Sequence, residues 1–355
     1  MPEQPIEGQG NAPTEKRKGE HIRICLQEEV NSVGITTGFE RYRFRHQALP
    51  EIAYDDIKLS TSWFGRKMRT PLLVSSMTGG TAEAGQINRR LAEVAEARGW
   101  AIGLGSMRAA IEKDALASSF SVRAEAPTVP VIANLGAVQL NYGFGADSCR
   151  RAVHLAEADA LVLHLNSMQE VFQPEGDTNF RGLLSRIEEV CRRSEVPIGV
   201  KEVGWGIDGD TANRLLEAGV SFLDVAGAGG TSWSQVEKYR SANGIQRQAA
   251  EAFADWGIPT ADSLVEVRER LDSIPLVASG GMQTGVEAAK AIALGANLVG
   301  YGRALLPGAA SGTLDSLAEQ FSRIEYELRT AMFGIGVSTI DELASTSRLM
   351  KLGST

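Results

Sequence analysis

The chain has 355 residues, of which 43% are hydrophobic, so it can bury a sizeable core as one large domain or two ordinary ones. Its formal net charge of −8 disfavours nucleic acid as a partner, because phosphate neutralisation needs an excess of Lys and Arg. No apolar run approaches the ~20 residues of a membrane-spanning helix. The three cysteines have no zinc or disulfide spacing, which indicates a soluble protein of the reducing cytoplasm.

Two segments precede the regular part of the chain. Residues 1–14 are rich in Pro, Gly, Gln and Asn, and this composition predicts a disordered leader. Residues 15–70 are mostly polar and begin with a basic segment that contains Arg17, Lys18 and His21. We expect them to form an N-terminal extension that precedes the main domain.

From residue 71 onward, short apolar segments alternate with segments of helical periodicity. The predicted strands are 72–75, 101–104, 129–133, 161–165, 198–203, 222–226, 276–278 and 298–301. The predicted helices are 85–98, 147–157, 183–193, 209–217, 261–271 and 286–293. Continuous apolar strands that alternate with helices indicate a parallel sheet covered on its outer face. Eight such units predict a (βα)8 TIM barrel over 71–355, with a doubly wound sheet as the alternative.

One connection is longer than the others. Between residues 226 and 261 lies the sequence Gly-Ala-Gly-Gly-Thr-Ser-Trp-Ser, followed by a polar stretch. This pattern predicts a long loop after the sixth strand, at a place where it could act as a lid.

Polar side chains follow the fourth predicted strand. The apolar segment 160–163 is succeeded by His164, Asn166, Gln169 and Glu170. A buried strand has no reason to end in such a set unless a polar ligand lies above it. Because barrel active sites are built at the carboxyl ends of the strands, these residues predict one there.

Glycine-rich turns follow the last two predicted strands. Gly280 and Gly281 lie in the first turn, while Arg303 and Ala304 lie in the second. In barrels, turns at these two places commonly form a phosphate site. The sequence therefore predicts phosphate binding, with ordinary strand-to-helix turns as the alternative.

A lysine, Lys201, interrupts the apolar fifth strand. A buried ammonium is costly unless it meets an anion or an acceptor. Two chemistries use such a lysine: Schiff-base aldol chemistry, and stabilisation of a reduced flavin that carries negative charge near N1 and the C2 carbonyl. The lysine alone does not distinguish between them.

A set of motifs occurs in order from about residue 15 to the end of the chain. They are Arg17-Lys-x-x-His21, Ser75-Ser-Met-Thr-Gly-Gly80, Gly105-Ser-Met-Arg108, Ala133-Asn-Leu-Gly136, His164-Leu-Asn-x-x-Gln-Glu170, Lys201-Glu-Val-Gly204, the segment from Asp224 to Trp233, Ser279-Gly-Gly281 and Gly302-Arg-Ala304. Each motif is weak alone. The ordered set resembles the type 2, FMN-dependent isopentenyl-diphosphate isomerases.

The resemblance implies conversion of isopentenyl diphosphate to dimethylallyl diphosphate in isoprenoid biosynthesis, with FMN, Mg²⁺ and NADPH as the reductant. It also implies a homo-oligomer, a tetramer or an octamer. The alternative is an FMN-dependent 2-hydroxy-acid oxidase or dehydrogenase. That chemistry needs a late histidine base, typically in a His-Gly-Gly-Arg context, whereas none of the four histidines follows His164. An aldolase that uses Lys201 and a non-catalytic flavin-binding module are further alternatives.

The resemblance also implies residue roles. Gln169 assists proton transfer at the allylic carbon, although the flavin is expected to do most of this work because amides are feeble bases. Glu170 holds Mg²⁺ against the diphosphate. The implied substrate-binding residues are Arg17, Lys18, His21, Arg108, His164, Asn166, Gln169 and Trp233. The implied FMN-binding residues are Ser76, Met77, Thr78, Ser106, Asn134, Lys201, Thr231, Gly280, Gly281, Arg303 and Ala304.

Overall fold

The structure, a computed structural model, describes residues 13–353. The predicted disordered leader, 1–14, therefore lies outside the described residues except for its last two. These two residues open helix α1, which spans Pro13–Gln27.

The strands are β1 Tyr42–Phe44, β2 Thr61–Trp63, β3 Arg66–Met68, β4 Leu72–Val74, β5 Ala101–Gly103, β6 Val131–Gly136, β7 Ala160–His164, β8 Ile198–Lys201, β9 Phe222–Asp224, β10 Leu276–Ala278, β11 Leu298–Tyr301 and β12 Leu349–Lys351. The eight strands from β4 to β11 are parallel and close into a barrel, in the order β10-β11-β4-β5-β6-β7-β8-β9. The predicted TIM barrel is confirmed, and the doubly wound alternative is wrong.

Helices connect the barrel strands and cover their outer face. After α1 they are α2 Ala82–Arg98, α3 Arg108–Glu112, α4 Ala146–Ala156, α5 Ser167–Phe172, α6 Leu183–Arg193, α7 Gly209–Glu217, α8 Trp233–Arg240, α9 Gly244–Glu251, α10 Thr260–Arg270, α11 Gly285–Ala293, α12 Leu306–Ser311, α13 Leu314–Gly334 and α14 Ile340–Ala344. Side-chain caps fix several starts. Thr81 accepts from the Ala84 amide at α2, and Asp208 accepts from the Thr211 amide at α7.

The segment after β9 is long, as predicted, but it is not an irregular loop. It folds into α8 and α9, and the Asn243 side chain caps the start of α9 by accepting from two backbone amides. Helix α8 also packs against α1 and α5. The predicted lid is therefore a pair of short helices with their own packing.

The segment before β4 contacts the rest of the chain at several places, and two of them are built from strands. Strands β2 and β3 form an antiparallel hairpin, and Trp63 and Met68 from this hairpin pack against side chains at the amino ends of the barrel strands. Strand β1 pairs with β12, so the extension also joins the C-terminal part of the chain. Within residues 13–353, no helix is both long enough and apolar enough to cross a membrane.

Candidate active site

The carboxyl ends of the strands surround a cavity of about 220 Å³. Every residue that the sequence implied for the site lines this cavity: Arg17, Lys18, His21, Ser76, Met77, Thr78, Ser106, Arg108, Asn134, His164, Asn166, Gln169, Glu170, Lys201, Thr231, Trp233, Gly280, Gly281, Arg303 and Ala304. The structure brings them together from α1 and from both halves of the barrel. Their location matches the expectation, while their individual roles stay predictions.

Helix α1 lies over the cavity and brings two cations to it. The side chains of Arg17 and Lys18 form neither an ion pair nor a hydrogen bond with any residue that the structure describes. Burial, followed by the charge of Arg17, lowers the pKa of Lys18 to about 8. Burial, followed by the charge of Arg108, also lowers the pKa of Arg17. Two desolvated, unpaired cations favour an anionic ligand here.

His164 is held in one neutral form. Asn134 Nδ2 donates to the Leu104 carbonyl at 3.1 Å, so its Oδ1 faces His164 Nδ1 at 2.9 Å and accepts a hydrogen bond from the Nδ1–H group. Burial, followed by the charges of Lys201, Lys18 and Arg17, lowers the pKa of His164 to about 3. The imidazole therefore brings an acceptor nitrogen, Nε2, and no charge, and a bound anion would raise its pKa.

Glu170 is buried on α5 and is oriented by its neighbours. Its carboxylate accepts from Asn166 Nδ2 at 2.8 Å, from Gln173 Nε2 at 3.3 Å and from the Asp177 amide at 2.7 Å. Burial raises its pKa. Asn166 Oδ1 is buried without a hydrogen-bond partner among the described residues. That unsatisfied acceptor and the fixed carboxylate next to it favour a ligand with donors or a cation.

The acceptor that organises this side of the cavity is Glu237, which the sequence reading missed. Its Oε1 accepts from Gln169 Nε2 at 3.0 Å and from His21 Nε2 at 2.9 Å, while its Oε2 accepts from Arg240 Nη1 at 2.6 Å. Burial opposes its charge, yet His21, Arg240 and Gln169 together hold the pKa of Glu237 well below its usual range. A fully buried, ionised carboxylate thus contacts the predicted catalytic amide.

One signal could have found Glu237. It lies four residues after Trp233, so both residues share a face if the segment is helical. Trp233 lines the cavity, and its ring packs edge-on against His21 at 5.1 Å between centroids. Reading this segment as a loop removed the helical spacing that links the two residues.

A polar layer crosses three neighbouring strands at the base of the cavity. Strand register places His164 beside Lys201, and Lys201 beside Asp224. Burial lowers the pKa of Lys201, and the charges of Asp224 and Glu202 oppose that shift. Asp224 also accepts from Ser279 Oγ at 2.6 Å. The buried lysine therefore has counter-charges beside it, which allow an ammonium to persist under a ligand.

Arg108 and Arg303 already have partners in the protein. Arg108 pairs with Glu112 and Asp177, each at 2.7 Å, so much of its charge is neutralised. The Arg303 guanidinium donates to Asn31 Oδ1. Both side chains line the cavity, but they offer a ligand less unpaired charge than Arg17 and Lys18 do.

The glycine turns are closely interlocked. A Cβ atom at Gly280 would lie 2.2 Å from the Gly227 carbonyl oxygen, and one at Gly281 would lie 2.9 Å from the Gly229 oxygen. Both glycines have positive φ values, 101° and 75°. Nearby, Ser75 Oγ is buried without a hydrogen-bond partner among residues 13–353. Half-buried glycine turns that line the cavity and an unsatisfied hydroxyl fit the phosphate end of a mononucleotide such as FMN.

A metal would find few protein ligands here. Among residues 13–353, no group of three or more His, Cys, Asp or Glu side chains is placed to hold a metal ion. Mg²⁺ is commonly bound through one or two carboxylates, with water and substrate phosphates completing its shell. Glu170 alone therefore fits Mg²⁺ that arrives with a phosphorylated ligand, and does not fit a metal held entirely by the protein.

Solved structures of two oxidases share the fold of this barrel. A lactate oxidase of Pediococcus acidilactici superposes with a TM-score of 0.68 at 19% identity, covering 95% of this chain and 91% of that one. A mandelate oxidase superposes with a TM-score of 0.66 at 19% identity, covering 97% of this chain and all of the other. At such low identity the likeness concerns the fold.

Sequence relatives are much closer. Residues 14–127 and 145–350 match the FMN-dependent dehydrogenase family. The chain is 53% identical over 338 residues to an isopentenyl-diphosphate delta-isomerase of Oceanobacillus iheyensis, covering 95% of this chain and 97% of the relative. It is 49% identical over 344 residues to the enzyme of that name from Nostoc sp., covering 96% and 97%. The chain therefore belongs to the FMN-dependent, type 2 isopentenyl-diphosphate delta-isomerases, as its motifs predicted.

Proposed function

We propose that this protein converts isopentenyl diphosphate to dimethylallyl diphosphate by protonation and deprotonation, with reduced FMN and Mg²⁺. The observation that carries the proposal is one cavity that combines two kinds of group. The unpaired cations Arg17 and Lys18 suit a diphosphate. Gln169, with the Glu237 carboxylate hydrogen-bonded to it, suits positive charge that develops on a carbon of the substrate.

The substrate's diphosphate would lie under α1. Arg17 and Lys18 would contact its oxygens, and the anion would restore the charge that burial disfavours on Lys18. Glu170 would hold Mg²⁺ against the same group, while Asn166 orients the Glu170 carboxylate. Binding in this way needs only a local basic cluster, so it is compatible with a net charge of −8.

The flavin would occupy the polar layer and the glycine turns. Lys201, Asn134, Thr78, Ser106 and Thr231 would surround its ring system. The phosphate would meet Gly280, Gly281, Arg303 and Ala304, and Ser76 and Met77 would lie along the ring. When bound, reduced FMN supplies an electron-rich ring that stabilises positive charge and a nitrogen, N5, that can exchange a proton.

The protein's own contribution to proton transfer centres on Gln169. Its amide is held in one orientation, because Nε2 donates to Glu237 at 3.0 Å and Oε1 accepts from Asn166 Nδ2 at 3.3 Å. The amide itself is a feeble base. The ionised Glu237 behind it would place negative charge where an alkene becomes cationic, and bound substrate and flavin would exclude water that could trap such a cation.

Further aspects of the proposal concern the whole protein. We propose that NADPH reduces the flavin. We also propose a cytoplasmic location, which the free cysteines support. The protein would form a homo-oligomer, either a tetramer or an octamer. Trp256 and Ile245 expose apolar side chains that subunit contacts would cover. We also propose that residues 15–70 supply basic side chains that bind the substrate, and that residues 71–355 form the FMN-binding barrel.

An anaerobic turnover assay tests the proposal. Purified protein, isopentenyl diphosphate, Mg²⁺, FMN and NADPH are mixed, each of the last three is omitted in turn, and dimethylallyl diphosphate is quantified. We expect product only in the complete mixture. Flavin binding without product, together with oxidation of a 2-hydroxy acid, would instead support the oxidase alternative. The oxidase chemistry needs a late histidine base, but this chain has no histidine after His164. Both cavity histidines, His21 and His164, precede β8.

A further inference from the structure

Arg240, at the end of α8, contacts three carboxylates. Its Nη1 donates to Glu237 Oε2 at 2.6 Å, its Nε donates to Glu20 Oε2 at 3.0 Å, and its Nη2 lies 3.3 Å from Glu175 Oε1. The side chain is only 5% exposed. Because such a buried guanidinium loses its hydration, these contacts matter far more than those of a surface ion pair.

The three carboxylates come from three different segments. Glu20 lies on α1, Glu175 lies in the turn after α5, and Glu237 lies on α8. Arg240 therefore joins the N-terminal helix to the helix pair after β9 and to the loop beside Glu170. A second bond runs parallel to this connection, because His21 on α1 also contacts Glu237.

The anchoring of α1 is graded along its length. Its C-terminal half packs in an apolar cluster in which Ile24 meets Val30 and Val236. Its middle is held by Glu20 and His21 through Arg240 and Glu237. Arg17 lies about one turn before Glu20 and has no polar partner among the described residues, so the position of the two free cations depends on the middle contacts.

We propose that Arg240 is a positioning residue that docks α1 over the cavity and so holds Arg17 and Lys18 in place for the substrate's diphosphate. Without the guanidinium, Glu20, Glu175 and Glu237 would face one another without a cation between them. Their repulsion would move the N-terminal half of α1 away from α8. The inference rests on the proposed function for its substrate, but the docking itself does not depend on turnover.

The docked fraction sets the apparent affinity. If only a fraction of the molecules has α1 docked, the apparent dissociation constant of the substrate rises by the inverse of that fraction. Arg240 also orients Glu237, so its loss is expected to affect both KM and kcat. Glu20 reaches the site only through α1, so changing Glu20 separates docking from catalysis.

The experiment combines hydrogen exchange of the FMN-loaded protein, without substrate, with steady-state kinetics. The variants are Glu20→Gln, Arg240→Gln and Arg240→Lys. The control is Arg193→Gln, because Arg193 also bridges two carboxylates, Asp147 and Glu189, but on the outer surface of α6. Amide exchange is compared between peptides 13–27 and 82–98.

We expect Glu20→Gln and Arg240→Gln to speed exchange in 13–27 but not in 82–98, and Arg240→Lys to restore part of the protection. Glu20→Gln should raise KM for isopentenyl diphosphate by about tenfold with kcat changed less than about twofold. Unchanged exchange in 13–27, or an equal increase in 82–98, would overturn the proposal. So would a loss in Glu20→Gln confined to kcat. If the wild type makes no product, the exchange data still decide whether Arg240 docks α1.

Discussion

The two ends of the barrel are built from opposite materials. At the amino end, the β2–β3 hairpin closes the barrel with Trp63 and Met68, which pack against apolar side chains such as Phe222. At the carboxyl end, neighbouring strands present His164, Lys201 and Asp224 side by side. One end buries apolar surface, while the other buries charge.

This difference separates stability from chemistry. Apolar packing at the amino end stabilises the fold by about 25 cal/mol for each Å² of apolar surface that it removes from water. Burying ionised groups at the carboxyl end costs free energy unless partners compensate, as Glu237 shows with its three donors. Buried ionised groups of this kind are typical of ligand-binding and catalytic sites, which in barrels lie at the carboxyl ends of the strands. Changes at the two ends should therefore affect different measurements.

The largest effect is expected from Glu237→Gln. The change keeps the shape but removes the negative charge beside Gln169, so kcat should fall by about 10²–10⁴-fold. FMN affinity should change little. Glu325→Gln is the matched control, because Glu325 also pairs with an arginine, Arg98, far from the cavity. Equal kcat values for the two variants would contradict the role given to Glu237.

Glu170→Gln should act on the metal. If Glu170 is the main protein ligand of Mg²⁺, the Mg²⁺ concentration for half-maximal turnover should rise by at least about tenfold. The measurement is a Mg²⁺ titration of turnover at saturating substrate. Glu189→Gln, on the outer helix α6, serves as the control. An unchanged titration would show that the metal binds elsewhere.

Lys18 gives the mouth a pH dependence. Its pKa is lowered to about 8, so it is charged below that pH and loses its proton above it. Consequently kcat/KM for isopentenyl diphosphate should fall above pH 8, by up to about tenfold per pH unit if the charge is essential. Lys18→Arg should move the fall to higher pH. A profile that is flat to pH 10 in the wild type would remove Lys18 from substrate binding.

The smallest effect on turnover is expected from the amino end. Trp63→Ala removes a large buried ring that packs on Phe222 at 5.4 Å, so it should lower stability by about 3–5 kcal/mol. At temperatures well below unfolding, kcat and KM should stay at wild-type values. Thermal melting and kinetics on the same sample make the comparison. A large rise in KM would show that the two ends are coupled.

Much of the barrel and its mouth was predictable from the sequence. Strands buried on both faces read as continuous apolar runs, and their polar ends converge because parallel strands finish at one edge. Ser76 was implied by the resemblance to the isomerase family, and the same convergence explains why residues as distant as Ser76 and Ala304 line one cavity. The unpaired state of Arg17 and Lys18 could not be read, since it depends on where the carboxylates point.

Two helices, α8 and α13, were missed. Helix α8 starts at Trp233 without a side-chain cap, so its short sequence looked irregular, and Glu237 and Arg240 were lost with it. The longer α13 was also not predicted, although Leu317, Phe321, Ile324 and Leu328 recur at helical spacing. In α8 the tertiary contacts decide the role, because the charge and orientation of the buried Glu237 depend on donors from other segments.

Turnover in deuterated water tests whether the protein isomerises its substrate by proton transfer. The anaerobic reaction is run with reduced FMN and Mg²⁺ for many turnovers, and the product is examined by mass spectrometry and NMR. We expect dimethylallyl diphosphate with solvent deuterium in a methyl group and no net consumption of reduced flavin. Product that lacks solvent deuterium, or product formed with stoichiometric flavin oxidation, would contradict a proton-transfer isomerase at the mouth of this barrel.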